Sequence, residues 1–430
     1  LVGTATVLTT FLLAREVWGR RVAWTAATLL AAGHYHIHFS RLGSNQIADG
    51  FFVTLTGWLL LLALRTRRMY LFALTGAVMG LGWYGYFGAR LVSILVAAYL
   101  TWRAATEYRF WRRQRHGIAV LALAALVVIA PLGLYYTAHP SDLLSRPRQV
   151  SIFSSGWLSR EVEVTGRSAA SLLLQQFWKS VSAFNYTLDP TFWYRSTIPL
   201  LDWVSGTLFI IGMVWALAHV RRPRHFWLLL WFWLALLTGW VLTENPPSSQ
   251  RMTIVAPALA ILAALGLGWL VELAGRLQPG VDWWMAVPGL LLLIAGLNLN
   301  YYFADFTPTR VYGNPTAEVG TELARYLNAH DDGAVVYFYG PPFMYWGHGT
   351  LLFMARGVTG FDVPPPGEPP AEGTPPPDTF LPHGVRFVFL PERAAEMEEV
   401  EERYPGGTVQ RFYSDADGRL LFIIYSLAEE

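Results

Sequence analysis

The chain has 430 residues, 53% hydrophobic and 15% aromatic with 19 Trp, and only 14% are charged; a soluble domain carries roughly 25%, so a single soluble globule is excluded. The absence of Cys excludes disulfides, thiolate metal sites and cysteine nucleophiles. The net charge of +2 hides +13 over residues 1–303 and −11 over residues 304–430, and the basic residues fall in short clusters between apolar runs, which excludes nucleic acid as a partner.

A bilayer core of about 30 Å takes about 20 residues per helix. Apolar stretches of that order run at 1–14, 22–38, 46–64, 69–87, 90–102, 117–136, 201–219, 226–242, 253–274 and 283–303. They predict an all-α polytopic membrane domain over 1–303 with about ten transmembrane helices and a long outer loop at 137–200. Leu1 lies inside an apolar run, with no initiator Met, basic n-region or cleavage site, so this is not a signal peptide and reads as the start of a piece of a longer protein.

The connections alternate in charge. Fifteen Arg residues, from Arg15 to Arg276, fall in one set of loops, whereas the short loops of the other set hold only Arg41, Arg90 and Arg251. By the positive-inside rule the first set is cytoplasmic. Residues 39–45, 84–90, 137–200, 243–252 and 304–430 then face outward, which predicts a plasma-membrane, multi-pass protein with an extracytoplasmic C-terminal domain.

After Phe303 the pattern changes to short elements. Asn314-Pro315 predicts a capped helix over 316–328. Val335–Tyr339, Val385–Leu390 and Leu420–Tyr425 read as strands, Pro391–Arg403 as a helix and Val363–Pro382 as a proline-rich loop. Residues 304–430 are therefore expected to form a small α/β domain without chemistry of its own.

Polar groups at the outer boundary carry the chemical signal, because an ionisable side chain near bilayer depth is costly. Asp49 opens the run Gly50–Leu64, which has no Lys or Arg to neutralise it until Arg65. Its alternatives are a functional acid and a helix-start Asp favoured by the dipole. His34, His36 and His38 read as an interfacial belt. On a helix only His34 and His38 align, which disfavours a His-only metal site. Arg41, Arg90 and Arg251 each stand where an anionic headgroup or a substrate phosphate would lie. Lys179, the chain's one lysine, lies in the long loop with Asn185 and Asp189. One acid and several Arg suit activation of a hydroxyl and stabilisation of a departing phosphate; they also suit anion transport.

These residues resemble a family. Gly3–Arg21, then "HFSRLGSNQIADGFF", "YGYFGARL" and "PPSSQRMTIVAPALAILAALGLGWL", resemble the GT-C glycosyltransferases, in particular the protein-mannosyltransferase-like and aminoarabinose-transferase-like branch, family 39. The resemblance covers residues 1–303 in order. It implies transfer of a sugar from a polyprenyl-phosphate donor, on the outer face and among membrane lipids, to a protein, lipid or glycan acceptor that the sequence does not name. It implies a catalytic or metal-associated role for Asp49 and donor phosphate-binding roles for Arg41, Arg90 and Arg251. No cofactor is demanded, and a divalent metal ion with unassigned ligands stays open. Family members open with a transmembrane helix and an outer loop bearing the general base, and this chain begins after that region, so it is expected to be either a fragment missing its catalytic loop or a degenerate homologue without activity. The alternative is a transporter or flippase for a lipid-linked or anionic solute.

Overall fold

The computed structural model describes residues 1–191, 193–309, 315–330, 332–369, 373–381 and 384–427. The chain divides into two compact units, Leu1–Thr307 and Pro308–Glu430.

The first unit is helical. Its elements are α1 (Val2–Trp18), α2 (Arg20–Ala32), α3 (His34–Arg41), α4 (Ile47–Thr66), α5 (Met69–Leu81), α6 (Phe87–Thr106) and α7 (Phe110–Ala138). The stretch 137–200 holds four more helices, α8 (Pro140–Leu143), α9 (Ser145–Val150), α10 (Trp157–Thr165) and α11 (Ala169–Ser182). Then come α12 (Trp203–Ala218), α13 (Pro223–Leu236), α14 (Ala256–Leu277) and α15 (Val287–Asn300).

Every apolar stretch read from the sequence carries helix, but the expectation of about ten spans is not matched by helix lengths. Among the described residues, five helical segments are long and apolar enough to cross a membrane: Ile47–Thr66, Phe110–Ala138, Pro223–Val241, Ser249–Leu277 and Trp283–Thr309. Met69–Tyr84 and Trp203–Ala218 are apolar but shorter. The stretch 22–38 is broken because Gly33 is extended (φ −63°, ψ 122°), which separates α2 from the short α3.

The sequence of α14, rich in Ala and Gly, explains its central place. With Ala and Gly interleaved among Leu and Ile it is buried from Ala256 to Gly268 and packs against α2 and α12. Gly212 of α12 and Gly266 of α14 are the points of closest approach. A Cβ at Gly212 would lie 1.8 Å from the Leu262 carbonyl oxygen, and one at Gly266 2.1 Å from that of Leu208. Backbone atoms of two packed helices give way only by separating the helices. Gly212→Val is therefore expected to lower stability by about 1–3 kcal/mol or more, read as a fall in the thermal midpoint in detergent. Gly289→Ala, in open space on α15, should leave the midpoint unchanged.

The second unit comprises α16 (Pro315–Ala329), α17 (Gly349–Met354), α18 (Met397–Arg403) and a five-stranded sheet ordered β2-β1-β3-β5-β4. The strands are β1 (Val335–Tyr339), β2 (Gly360–Asp362), β3 (Val385–Phe389), β4 (Thr408–Tyr413) and β5 (Leu420–Leu427). β1 pairs parallel with β2 and β3, and β5 antiparallel with β3 and β4. The helix, the three strands and the mixed helical segment Pro391–Arg403 fall where the apolar patterning puts them. β2 and β4 were not anticipated: β2 has three residues, and β4 is an edge strand almost wholly exposed, so neither needs an apolar face. The Asn314 cap and part of the proline-rich loop (Pro370–Glu372, Pro382) lie outside the described residues.

Candidate functional site

A cavity of about 540 Å³ in the first unit forms where three segments meet. One wall is the first turn of α6 with the loop before it. The second is the segment from Leu143 to Phe153, and the third is the end of α13 with the turn that follows. The second wall is pinned to the third by backbone. Ser151 and Thr243 form an isolated antiparallel bridge, the Ile152 N–H donates to Leu242 (3.2 Å), and the Glu244 N–H donates to Val150 (2.9 Å).

The lining is mostly apolar, including Phe87, Leu91, Ile94, Leu144, Phe153 and Ile254, and it carries three guanidinium groups, Arg90, Arg146 and Arg251. Arg251 Nη1 donates to Thr243 Oγ1 and to the Glu244 carbonyl, both at 2.9 Å, and its Nε is buried without a partner. Arg90 Nη2 donates to the Tyr136 hydroxyl at 2.8 Å, its guanidinium lies 4.1 Å from the Phe87 ring centroid, and its Nε is also unpartnered. Among the described residues, no carboxylate or imidazole lines the cavity. The cavity thus combines apolar walls with three cations, two of which keep a buried donor without a partner.

Of the residues singled out in the sequence, Arg90 and Arg251 meet in this cavity. Arg41 does not line it: it is exposed, with its guanidinium 5.6 Å from the Tyr302 ring centroid and 5.1 Å from that of Phe303. Asp49 is fully buried behind the cavity wall. It sits in the first turn of α4, and its Oδ1 accepts the Ala89 N–H of α6 at 3.0 Å, so it caps the helix whose next residue is Arg90. Its Oδ2 has no partner and faces Gly88. Gly88 lines the cavity, and a Cβ there would fall 2.1 Å from Asp49 Oδ2, so only glycine lets the two helices approach this closely. Arg146, which sequence reasoning passed over, enters through the Leu143–Phe153 wall. Its one local signal is an Arg directly after Leu143-Leu144-Ser145 in an otherwise polar stretch.

The other outer residues belong to a separate buried network. α3 is a helix, as the His spacing was read, and all three of its His are buried. His34 Nδ1 and the Tyr194 hydroxyl share a hydrogen bond of 2.5 Å, and His38 Nε2 bonds the Trp193 carbonyl at 2.7 Å. Burial first, then the neighbouring phenols of Tyr301 and Tyr302, push the Tyr194 hydroxyl well above its ordinary pKa, so it stays neutral. Asp189 accepts from the Thr191 N–H (2.8 Å), the Ser249 N–H (3.2 Å) and the Ser249 hydroxyl. It thereby ties the end of the outer segment to the turn before α14.

These residues do not fit a metal. No group of three or more His, Asp or Glu among the described residues could hold one. Asp49 Oδ1, His34 Nδ1 and His38 Nε2 are committed to Ala89, Tyr194 and Trp193, while Asp49 Oδ2 and the Nε2 atoms of His34 and His36 are buried without a partner.

The chain shares its fold with solved membrane-protein structures, and its apolar helices make it a multi-pass membrane protein. Residues 1–135 match the family described as dolichyl-phosphate-mannose-protein mannosyltransferase. Among solved structures, ArnT from Cupriavidus metallidurans in the apo state aligns over 100% of this chain and 82% of its own, at 14% identity and a TM-score of 0.54. The oligosaccharyltransferase of Archaeoglobus fulgidus, solved with Zn and sulfate, aligns over 98% of this chain at 14% identity and a TM-score of 0.53, and this chain spans 60% of its length. No curated protein matches the chain by sequence.

Proposed function

We propose that this protein is a membrane glycosyltransferase that takes a sugar from a polyprenyl-phosphate donor on the extracytoplasmic face of the plasma membrane and passes it to a protein, lipid or glycan. The observation that carries this reading is the cavity. Its apolar walls suit an isoprenoid chain, and Arg90, Arg146 and Arg251 suit the phosphate to which the sugar is joined. The matched family name, with its lipid-phosphate sugar, points the same way. The Arg asymmetry of the loops supports an outward-facing cavity and an outward C-terminal unit.

In this reaction the acceptor's nucleophilic atom bonds to the anomeric carbon as the bond from that carbon to the phosphate oxygen breaks. The electron pair stays on the departing phosphate, where the guanidinium groups stabilise the charge as it develops. The acceptor's proton goes to a base outside the cavity lining, which holds none. Asp49 acts as a positioning residue: its carboxylate holds the first turn of α6 and so aims Arg90, while Arg41 stands apart from the phosphate.

The test is the fate of labelled sugar on polyprenyl phosphate with the protein expressed from its complete reading frame, in vesicles with a membrane extract as acceptor source. Appearance of label on an acceptor with release of polyprenyl phosphate is expected. Movement of the intact lipid-linked sugar between leaflets without cleavage would instead make the protein a transporter.

A further inference from the structure

The helix α11 carries an inverted pattern. Its buried face is Leu172, Gln176 and Ser180, one turn apart, and two of the three are polar. The opposite side presents Leu174 and Trp178, with Trp178 62% exposed. A helix on the outside of a water-soluble protein buries its apolar stripe and shows its polar one; here the large apolar side chains point away from the protein. Gln175 and Lys179 are exposed on a third side, so the helix has a protein face, an apolar outer face and a polar outer face. At 14 residues it is about 21 Å long, too short to span a bilayer.

Its surroundings say what covers the apolar face. α11 packs on the turn Leu237–Val241, which ends the membrane-length segment Pro223–Val241, and Phe177 stacks on Trp233 of that segment with centroids 6.2 Å apart. Leu237 on the same turn is itself exposed. The apolar face of α11 is thus continuous with the exposed apolar surface of a membrane-length segment. Tyr186 is exposed, and Trp203 at the start of the apolar helix α12 is 74% exposed; their rings lie 6.5 Å apart. Trp, Tyr and a Lys able to extend its ammonium toward headgroups are the residues that collect at a membrane boundary.

We infer that α11 lies in the plane of the outer leaflet, with Leu174 and Trp178 embedded among phospholipid chains and Gln175 and Lys179 toward water. The partner is the bilayer itself, and the inference does not depend on the sugar chemistry. It bears on the cavity nonetheless: Gln176 Nε2 donates to the Thr243 carbonyl at 3.0 Å, and the hydroxyl of the same Thr243 accepts from Arg251. The membrane contact therefore braces the turn that holds Arg251.

The chain has no Cys, so single-cysteine labelling reads this out directly. Trp178→Cys and, separately, Gln175→Cys are labelled with an environment-sensitive fluorophore and the full chain is reconstituted in phosphatidylcholine/phosphatidylglycerol vesicles. At 178 a nitroxide on the lipid acyl chain should quench several-fold more than aqueous iodide, and at 175 the order should reverse. Leu174→Cys reports the same face should Trp178→Cys fail to fold. Iodide quenching at 178 equal to that at 175 would overturn the inference, as would shielding of 178 and 174 from both quenchers, which would mean that protein covers the face.

Discussion

Arg251→Met is expected to lower kcat/KM for the polyprenyl-phosphate sugar by about 10²-fold or more, the scale seen when one fixed donor to a developing negative charge is removed. The guanidinium is anchored through Nη1 to Thr243 and Glu244, its Nε is buried without a partner, and the residue lines the cavity. Methionine keeps the apolar stem and removes the charge, so the thermal midpoint should move little while turnover falls. Arg251→Lys should recover only part of the loss, because one ammonium does not reproduce a planar fork held on one side and donating on the other. A Lys variant with full activity would show that only the charge matters, and a Met variant with full activity would remove Arg251 from the donor site.

The second large effect separates two roles for Asp49. As a cap it needs an acceptor oxygen facing the Ala89 N–H, which Asn also supplies. Asp49→Asn is therefore expected to stay folded with turnover within about threefold of the parent, in keeping with the cost of a modestly perturbed cap. Asp49→Leu fills similar space but leaves the Ala89 N–H only its local acceptor, the Tyr86 carbonyl at 3.1 Å, a loss of about 1 kcal/mol. It also frees the turn that aims Arg90, so the donor KM should rise by about tenfold with a smaller change in kcat. Loss of turnover in a well-folded Asp49→Asn variant would instead mean that the carboxylate takes part in the chemistry.

These two residues show what the sequence could and could not convey. The alternation of Arg between loops placed Arg90 and Arg251 on one side of the membrane, and the fold brings them into one cavity. The same logic chose Arg41, which stacks on Tyr302 and Phe303 because α3 packs beside the end of α15, a pairing with no local sequence signature. The cost of a buried acid singled out Asp49 but left a functional acid and a helix-start Asp as alternatives, without naming a partner. That partner is a backbone N–H of a helix forty residues on, and a backbone donor leaves no trace in residue type. Arg146 was illegible for a similar reason, since its wall is set by the bridge between Ser151 and Thr243 across the long outer segment. In the second unit β1, β3 and β5 were legible from buried apolar runs, while β4 needs only an open sheet edge.

The most direct test of the central claim is where the donor's phosphate end binds, because that can be measured with or without turnover. A polyprenyl phosphate bearing a photoreactive diazirine beside the phosphate is incubated with the full chain in bilayers, irradiated, and the adducts are mapped by mass spectrometry. The account predicts adducts on peptides that include Arg90, Leu143–Phe153 and Thr243–Arg251, competed by unlabelled polyprenyl phosphate and weakened in Arg251→Met. Adducts confined to the turn around Arg41, or spread over the lipid-facing sides of α7 and α15 without competition, would contradict it.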